Sequence, residues 1–192
     1  MGKIVISENV SLDGVVQDPT GEEGFRLGGW FGLIKDRPEV GKLALDDALG
    51  AEALLLGRRS YEFFAARWPS RTGALADRLN SLPKCVVSST LEAPDWNNST
   101  ILTGEAVSEV STLKRELDGD ILVLASFQLV HALIEHDLVD EFRLKVFRLC
   151  SGPASGSSPR PVTRSPCAFL TAGRSMTASP SSPTSALGMP SA

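Results

Sequence analysis

The chain has 192 residues, 42% of them hydrophobic and 22% charged, with a formal net charge of −4, which is the make-up of one ordinary globular domain with a sizeable core. The residues before Arg148 hold all 23 acids and all but four of the 19 bases, and so acidic a body argues against nucleic-acid binding. No apolar run is long enough to span a bilayer, no basic-then-apolar leader is present, and Cys85, Cys150 and Cys167 show neither metal nor disulfide spacing, so a reducing cytoplasm is the expected setting.

In chain order, residues 3–10 (KIVISENV) read as a first strand, apolar on both faces for part of its length. Ser11-Leu12-Asp13-Gly14 ends it, and Asp13 either faces a cleft at the strand's carboxyl end or builds an Asx-turn before Gly14. Residues 17–32 form a loop in which Gly28-Gly29 precedes Trp30, so that backbone approaches closely while a flat aromatic covers a ligand or the core edge. Pro38 suits the first turn of a helix over 37–49, where Val40, Leu43, Ala44 and Ala48 keep helical spacing. The stretch ALLLGRRSYEFF from Ala53 reads as a buried strand, a tight Gly57-Arg58-Arg59-Ser60 turn and a helix start. A helix N-terminus carries free N–H groups and partial positive charge, and two arginines add fork-shaped donors, so this turn suits phosphate. An ordinary turn with surface arginines has the same pattern.

A helix over 71–82 stops at Pro83, and residues 84–88 form a short buried strand ending in Ser88-Ser89-Thr90. Those hydroxyls bind phosphate or satisfy the turn. A strand over 99–102, a helix over 106–117 and a fully apolar strand over 121–124 follow. Ala125-Ser126 then leads into a helix over 127–136, where His131 and His136 have poor metal spacing and read as surface or capping groups. Residues 138–147 alternate like a strand with one wetted face. Strands alternating with helices predict an α/β domain with a mostly parallel central sheet flanked by helices, which binds ligands outside the strands' carboxyl ends. Asp13, Gly57 to Ser60, Ser88-Ser89 and Ala125-Ser126 all fall at such ends, which predicts one cleft for a phosphate-bearing cofactor.

Ser11-Leu12-Asp13-Gly14, Gly28-Gly29-Trp30, LLLGRRSYEFFA, NSLPKCVVSSTL with Trp96 following, and QLVHALIEHDLVDEFRL together resemble the dihydrofolate reductase-like family. They resemble more closely the bacterial stand-alone proteins similar to the riboflavin-pathway reductase (RibD C-terminal) domain. The resemblance covers about residues 3–147. It implies a three-layer reductase fold using NADPH, with hydride passed to a small heterocyclic, imine or carbonyl substrate, as in 5-amino-6-(5-phosphoribosylamino)uracil reduction. It implies Gly57, Arg58, Arg59 and Ser60 at the cofactor's phosphates, Ser88 and Ser89 near the adenosine 2′-phosphate, and Ala125, Ser126 and Gln128 around the pyrophosphate. Asp13 and Trp30 are implied on the substrate side, with Asp13 the catalytic acid. A small-molecule partner is expected, with no nucleic acid, membrane or metal, and a homodimer stays open. Where the family has glycines, this chain has Ala125, Ser126 and Phe127, of which Ala125 and, more so, Phe127 are expected to crowd the pyrophosphate. That substitution leaves a second reading open, a non-catalytic nucleotide- or pterin-binding module.

Composition changes after Phe147. Residues 148–192 hold no Asp, Glu or Lys and are rich in Ser, Pro, Ala and Thr. The resemblance expects a Lys-Arg-Leu-Phe run and two closing strands instead. Restoring one deleted base near Arg148, with codon choice free, makes such an ending readable. The domain is therefore expected to end at 147, followed by a frameshifted, irregular tail at 148–192 that leaves the closing strands missing and the product inactive or impaired. A natural Ser/Pro-rich tail is the alternative.

Overall fold

The computed structural model describes residues 1–34, 38–151 and, for the backbone, 168–173. Seven strands form one sheet: β1 (Lys3–Ser11), β2 (Ala51–Gly57), β3 (Lys84–Val87), β4 (Ser99–Leu102), β5 (Asp120–Leu124), β6 (Glu141–Phe147) and β7 (Ala168–Gly173). Five helices connect them: α1 (Pro38–Gly50), α2 (Arg58–Ala65), α3 (Ala74–Ser81), α4 (Ala106–Glu116) and α5 (Phe127–Glu135). The strand order is β4-β3-β2-β5-β1-β6-β7. Every pairing is parallel except β6 with β7.

The apolar runs read from the sequence are runs because both sheet faces are covered. Side chains alternate across a strand, so Ile4, Ile6, Leu55, Ile121 and Val123 pack toward Val110 of α4 and Leu129, Val130 and Leu133 of α5. Val5, Leu54, Leu56 and Leu122 pack the other way, against Ala48, Tyr61 and Leu79 of α1, α2 and α3. The result is three layers. A buried ionic knot fastens α1 to the sheet: Asp47 accepts from Ser7 Oγ at 2.7 Å and Lys145 Nζ at 3.0 Å, and pairs with Arg143 at 3.3 Å. Arg143 also pairs with Asp120 and Glu141, and those contacts raise its pKa.

Three differences from the sequence reading have local causes. Helix α3 starts at Ala74 and not at 71, because Gly73 takes φ 107° ahead of it and Arg71 lies over the Trp68 ring at 4.7 Å. Strand β6 starts at Glu141, because Asp140 before it is tied to β1 partly through its side chain, its N–H donating to Ile4 O and its carboxylate accepting from Ile4 N–H. Strand β7 forms where no strand was expected. Ala168-Phe169-Leu170-Thr171-Ala172-Gly173 is a proline-free, largely apolar stretch of the ending, and the free edge of β6 supplies its partners. The packed chain also continues past Phe147: Leu149 is buried beside Trp30 and Phe147, and its carbonyl accepts from Leu12 N–H at 2.8 Å. The expectations for Arg37 and for residues 152–167 and 174–192 lie outside the described residues.

Candidate functional site

A cavity of about 820 Å³ opens across the carboxyl ends of β1, β2, β3 and β5. Its size is that of a ligand pocket and not of a packing defect. It sits where the strand order turns back on itself, since β5 inserts between β1 and β2.

Gly57, Arg58, Arg59 and Ser60 line it at the β2–α2 junction, Ser88 and Ser89 after β3, and Ala125, Ser126 and Gln128 at the β5–α5 junction. The cofactor-side residues read from the sequence thus come together on one wall. Helices α2 and α5 both begin there, and neither has a side chain capping its first N–H groups. Their positive ends and the two arginines make an anion-attracting rim. Arg58 is paired with Glu62 at 3.1 Å and Arg59 with Glu23 at 3.3 Å, both about half exposed, so each is free to swing to a stronger anion.

The β5–α5 turn is tighter than a glycine turn in one respect. Ala125 and Ser126 take φ of 51° and 63°, left-handed conformations that a Cβ disfavours. Ser126 stitches the two junctions together: its Oγ accepts from Gly57 N–H at 3.0 Å, and its own N–H donates to Ser60 Oγ at 2.9 Å. Ser88 Oγ accepts from Thr90 and Leu91 N–H, so its oxygen builds the turn while its hydroxyl proton stays available.

The substrate-side residues behave differently. Asp13 does not line the cavity; its carboxylate accepts from Ser11 Oγ at 2.6 Å and from Ser151 N–H. Trp30 is 1% exposed and packs on Phe147 at 5.4 Å, the core-edge arrangement; Phe31, next to it, reaches the cavity instead. The glycine pair serves this packing, because a Cβ on Gly28 would meet Asp18 O at 2.6 Å.

The sequence reading passed over two groups in the cavity wall, Glu8 and Lys145. Burial raises the Glu8 pKa to about 8, against the opposing pull of Lys145. The signal was present in KIVISENV: an acid interrupts an apolar strand at its carboxyl end, where a side chain passes from core to cleft. Among the described residues no cluster of His, Cys, Asp and Glu could hold a metal, and no helix is long and apolar enough to cross a membrane.

Fold and cavity together define a dihydrofolate reductase-like α/β protein with an anion-attracting cleft at the strand ends. The chain belongs to the RibD C-terminal domain family, whose model matches residues 2–161. It is 26% identical over 156 residues to the "Uncharacterized protein YyaP" of Bacillus subtilis (strain 168), covering 78% of this chain and 77% of that one. A "Putative riboflavin biosynthesis protein" from Shewanella sp. PV-4 shares the fold at TM-score 0.58 and 18% identity, over 81% of this chain and 86% of that one. Dihydrofolate reductase from Enterococcus faecalis, complexed with NADP(H), superposes more loosely, at TM-score 0.49 and 14% identity over 76% and 70% of the two chains.

Proposed function

We propose that this protein is an NADPH-dependent reductase acting on a small heterocycle or on an imine or carbonyl carbon, with 5-amino-6-(5-phosphoribosylamino)uracil as the model substrate. The observation that carries the reading is the meeting of two uncapped helix N-termini and two arginines on one cavity. That donor set fits a dinucleotide bearing several phosphates. Gly57, Arg58, Arg59 and Ser60 hold phosphate oxygens, Ser88 and Ser89 take the 2′-phosphate, and Ala125, Ser126 and Gln128 border the pyrophosphate. When bound, the cofactor supplies the hydride. The protein's part is to hold it against the substrate and exclude water. Asp13 and Trp30 act on the substrate side indirectly, Asp13 by fixing the Ser11–Ser151 turn and Trp30 by backing Phe31.

A double variant tests this. Arg58→Ala with Arg59→Ala removes charge-assisted contacts worth about 1.5–3 kcal/mol each. In fluorescence titration NADPH is expected to weaken markedly more than NADH. Equal, small changes for both cofactors would reduce the arginines to surface charge. A second reading, a non-catalytic nucleotide- or pterin-binding module, is favoured by one feature: the Gly57 and Ser126 N–H groups are already engaged. Binding of NADPH without turnover on pterin, pyrimidine and quinone panels would support it.

The proposal includes the ending. The reductase unit is the chain over 1–147, with Leu149 and β7 packed onto it, and the chain from Arg148 on is a frame-shifted version of the family's closing segment; sequencing the coding DNA around Phe147 tests it.

A further inference from the structure

Strand β1 presents alternate residues to opposite faces. Ile4 and Ile6 point into the core between the sheet and α5, packing with Leu129 and Leu133. Glu8 is next on that face, where the core gives way to the cavity. It lies beyond the reach of β5, whose pairing with β1 ends at Ser7 and Leu124. A carboxyl is thus set at the boundary between apolar core and ligand space.

Among the described residues, three acids line this cavity: Glu8, Asp18 and Glu23. Glu23 is paired with Arg59. Asp18 accepts from Phe25 N–H at 3.0 Å through one oxygen, and its other oxygen is shut away from solvent in the folded loop. Glu8 alone of the three has no hydrogen bond or ion pair from any described residue. A carboxylate in that position, half-buried against the apolar core and without donors, is less well stabilised than in water, whereas a carboxylic acid is tolerated and keeps a proton to give.

We propose that Glu8 is the acid of this site, the residue that protonates the nitrogen or oxygen of a C=N or C=O substrate as its carbon is reduced. The inference rests on the reductase reading. The two electrons come as hydride from a reduced nicotinamide dinucleotide. The π pair of the substrate double bond moves to nitrogen or oxygen, which takes the Glu8 proton, and the resulting carboxylate regains a proton from water. Glu8 thus fills, inside the cavity, the part that the sequence alone assigned to Asp13.

The charges around Glu8 decide its titration. From β6, Lys145 pulls toward ionisation, but its ammonium is shared with Asp47 of α1 and Ser7. Helix α5 faces the cavity with Gln128, Leu129 and Ala132, none of them ionisable, and α2 contributes Arg58 and Arg59 at the rim. Loop residues Asp18 and Glu23 add negative charge, which opposes ionisation of Glu8. Desolvation outweighs Lys145, and Glu8 stays protonated up to about pH 8. That matches an acid working near neutrality.

The test uses the full chain labelled with carboxyl-¹³C glutamate. One carboxyl is expected to titrate near pH 8 and to vanish in Glu8→Gln. With NADPH and 7,8-dihydrobiopterin as the C=N probe, Glu8→Gln is expected to hold NADPH affinity within about twofold. It should lose turnover by about 10²–10⁴-fold, the usual contribution of a general acid. The wild type should lose rate as pH rises through 8. A Glu8 carboxyl titrating below pH 6, or Glu8→Gln turning over at the wild-type rate, overturns the assignment and leaves the reductase reading standing. Failure of the wild type to bind NADPH overturns the reductase reading and this inference with it. If NADPH binds and the probe is not reduced, the carboxyl titration decides.

Discussion

At the scale of single residues, the cavity is shaped by side chains placed where the backbone barely allows them. Ala125 at φ 51° carries the conformational cost of a Cβ in the left-handed region, about 1 kcal/mol. Ala125→Gly is therefore expected to raise the urea midpoint by an amount corresponding to about 1 kcal/mol, less the entropy glycine adds to the unfolded chain. The same variant is expected to tighten NADPH by removing a Cβ from the cavity wall. An unchanged midpoint would mean that the Ser126 hydrogen bonds hold residue 125 without strain. Glu8 sets a second expectation. Its folded pKa, about 8, lies above the ordinary glutamate value of about 4.3, so the folded state binds more protons between the two. The Glu8 contribution is fully present below about pH 4 and is lost as pH rises through 8. Urea melts of the wild type should therefore weaken relative to Glu8→Gln across that window. Glycine and arginine at a strand end were legible as candidates for the cavity wall, where the structure puts them, because their chemistry is local. Glu8 was legible only as an acid interrupting an apolar strand, because its place in the cavity depends on where β5 stops beside it.

At the scale of elements, strand ends are positioned by polar ties that sequence periodicity does not record. Lys84, 1% exposed, donates to Asn80 O at 3.0 Å, Leu82 O at 2.7 Å and Asn97 O at 3.1 Å, and lies 4.4 Å over the Trp96 ring. It ties the end of α3 to the turn before β4, and so sets the height of β3 and the Ser88-Ser89 turn. Burial pulls its pKa down to about 8, while the three carbonyls and the ring favour the ammonium. Lys84→Met keeps much of the volume and leaves three carbonyls without their donor. The expected cost is about 1–3 kcal/mol or more in urea unfolding, the penalty of stranding buried acceptors. Loss of less than about 0.5 kcal/mol would show that water reaches those carbonyls. Trp96 works the same corner: its N–H donates to Tyr61 Oη at 2.8 Å and its Nε1 to Asn80 Oδ1 at 2.7 Å. The sequence marked Trp96 only through the resemblance, since a lone Trp in a polar turn has no period to betray its burial. Strands β1, β2 and β5 were legible because both of their faces are apolar. Asp13 and Trp30 stayed open between two readings because a strand-end acid and a Gly-Gly-Trp turn fit a cleft and a core edge equally well, and only the Ser151 and Phe147 contacts show the packing each adopts.

At the scale of the whole molecule, the sheet is parallel from β4 to β6, and one antiparallel strand, β7, covers the β6 edge. The sequence predicted that edge to be bare, because prolines and small polar residues dominate the ending and proline removes ladder donors. Six proline-free residues nevertheless suffice for an edge strand, because its register needs only the backbone of β6. Such a cover differs from a family-type closing segment in its apolar content. The ending as it stands gives β7 a single phenylalanine and a single leucine, whereas the shifted frame proposed above would offer an apolar closing strand and a basic run. Restoring the frame at Arg148 is therefore expected to raise the urea midpoint, lower aggregation at the sheet edge and tighten NADPH, because β6 carries Lys145 into the cavity wall and a firmer β6 steadies it. Side-by-side melts, light scattering and NADPH titrations of the two endings check this. Equal midpoints and equal NADPH affinity would mean that β7 already closes the sheet as well as the family's own ending does.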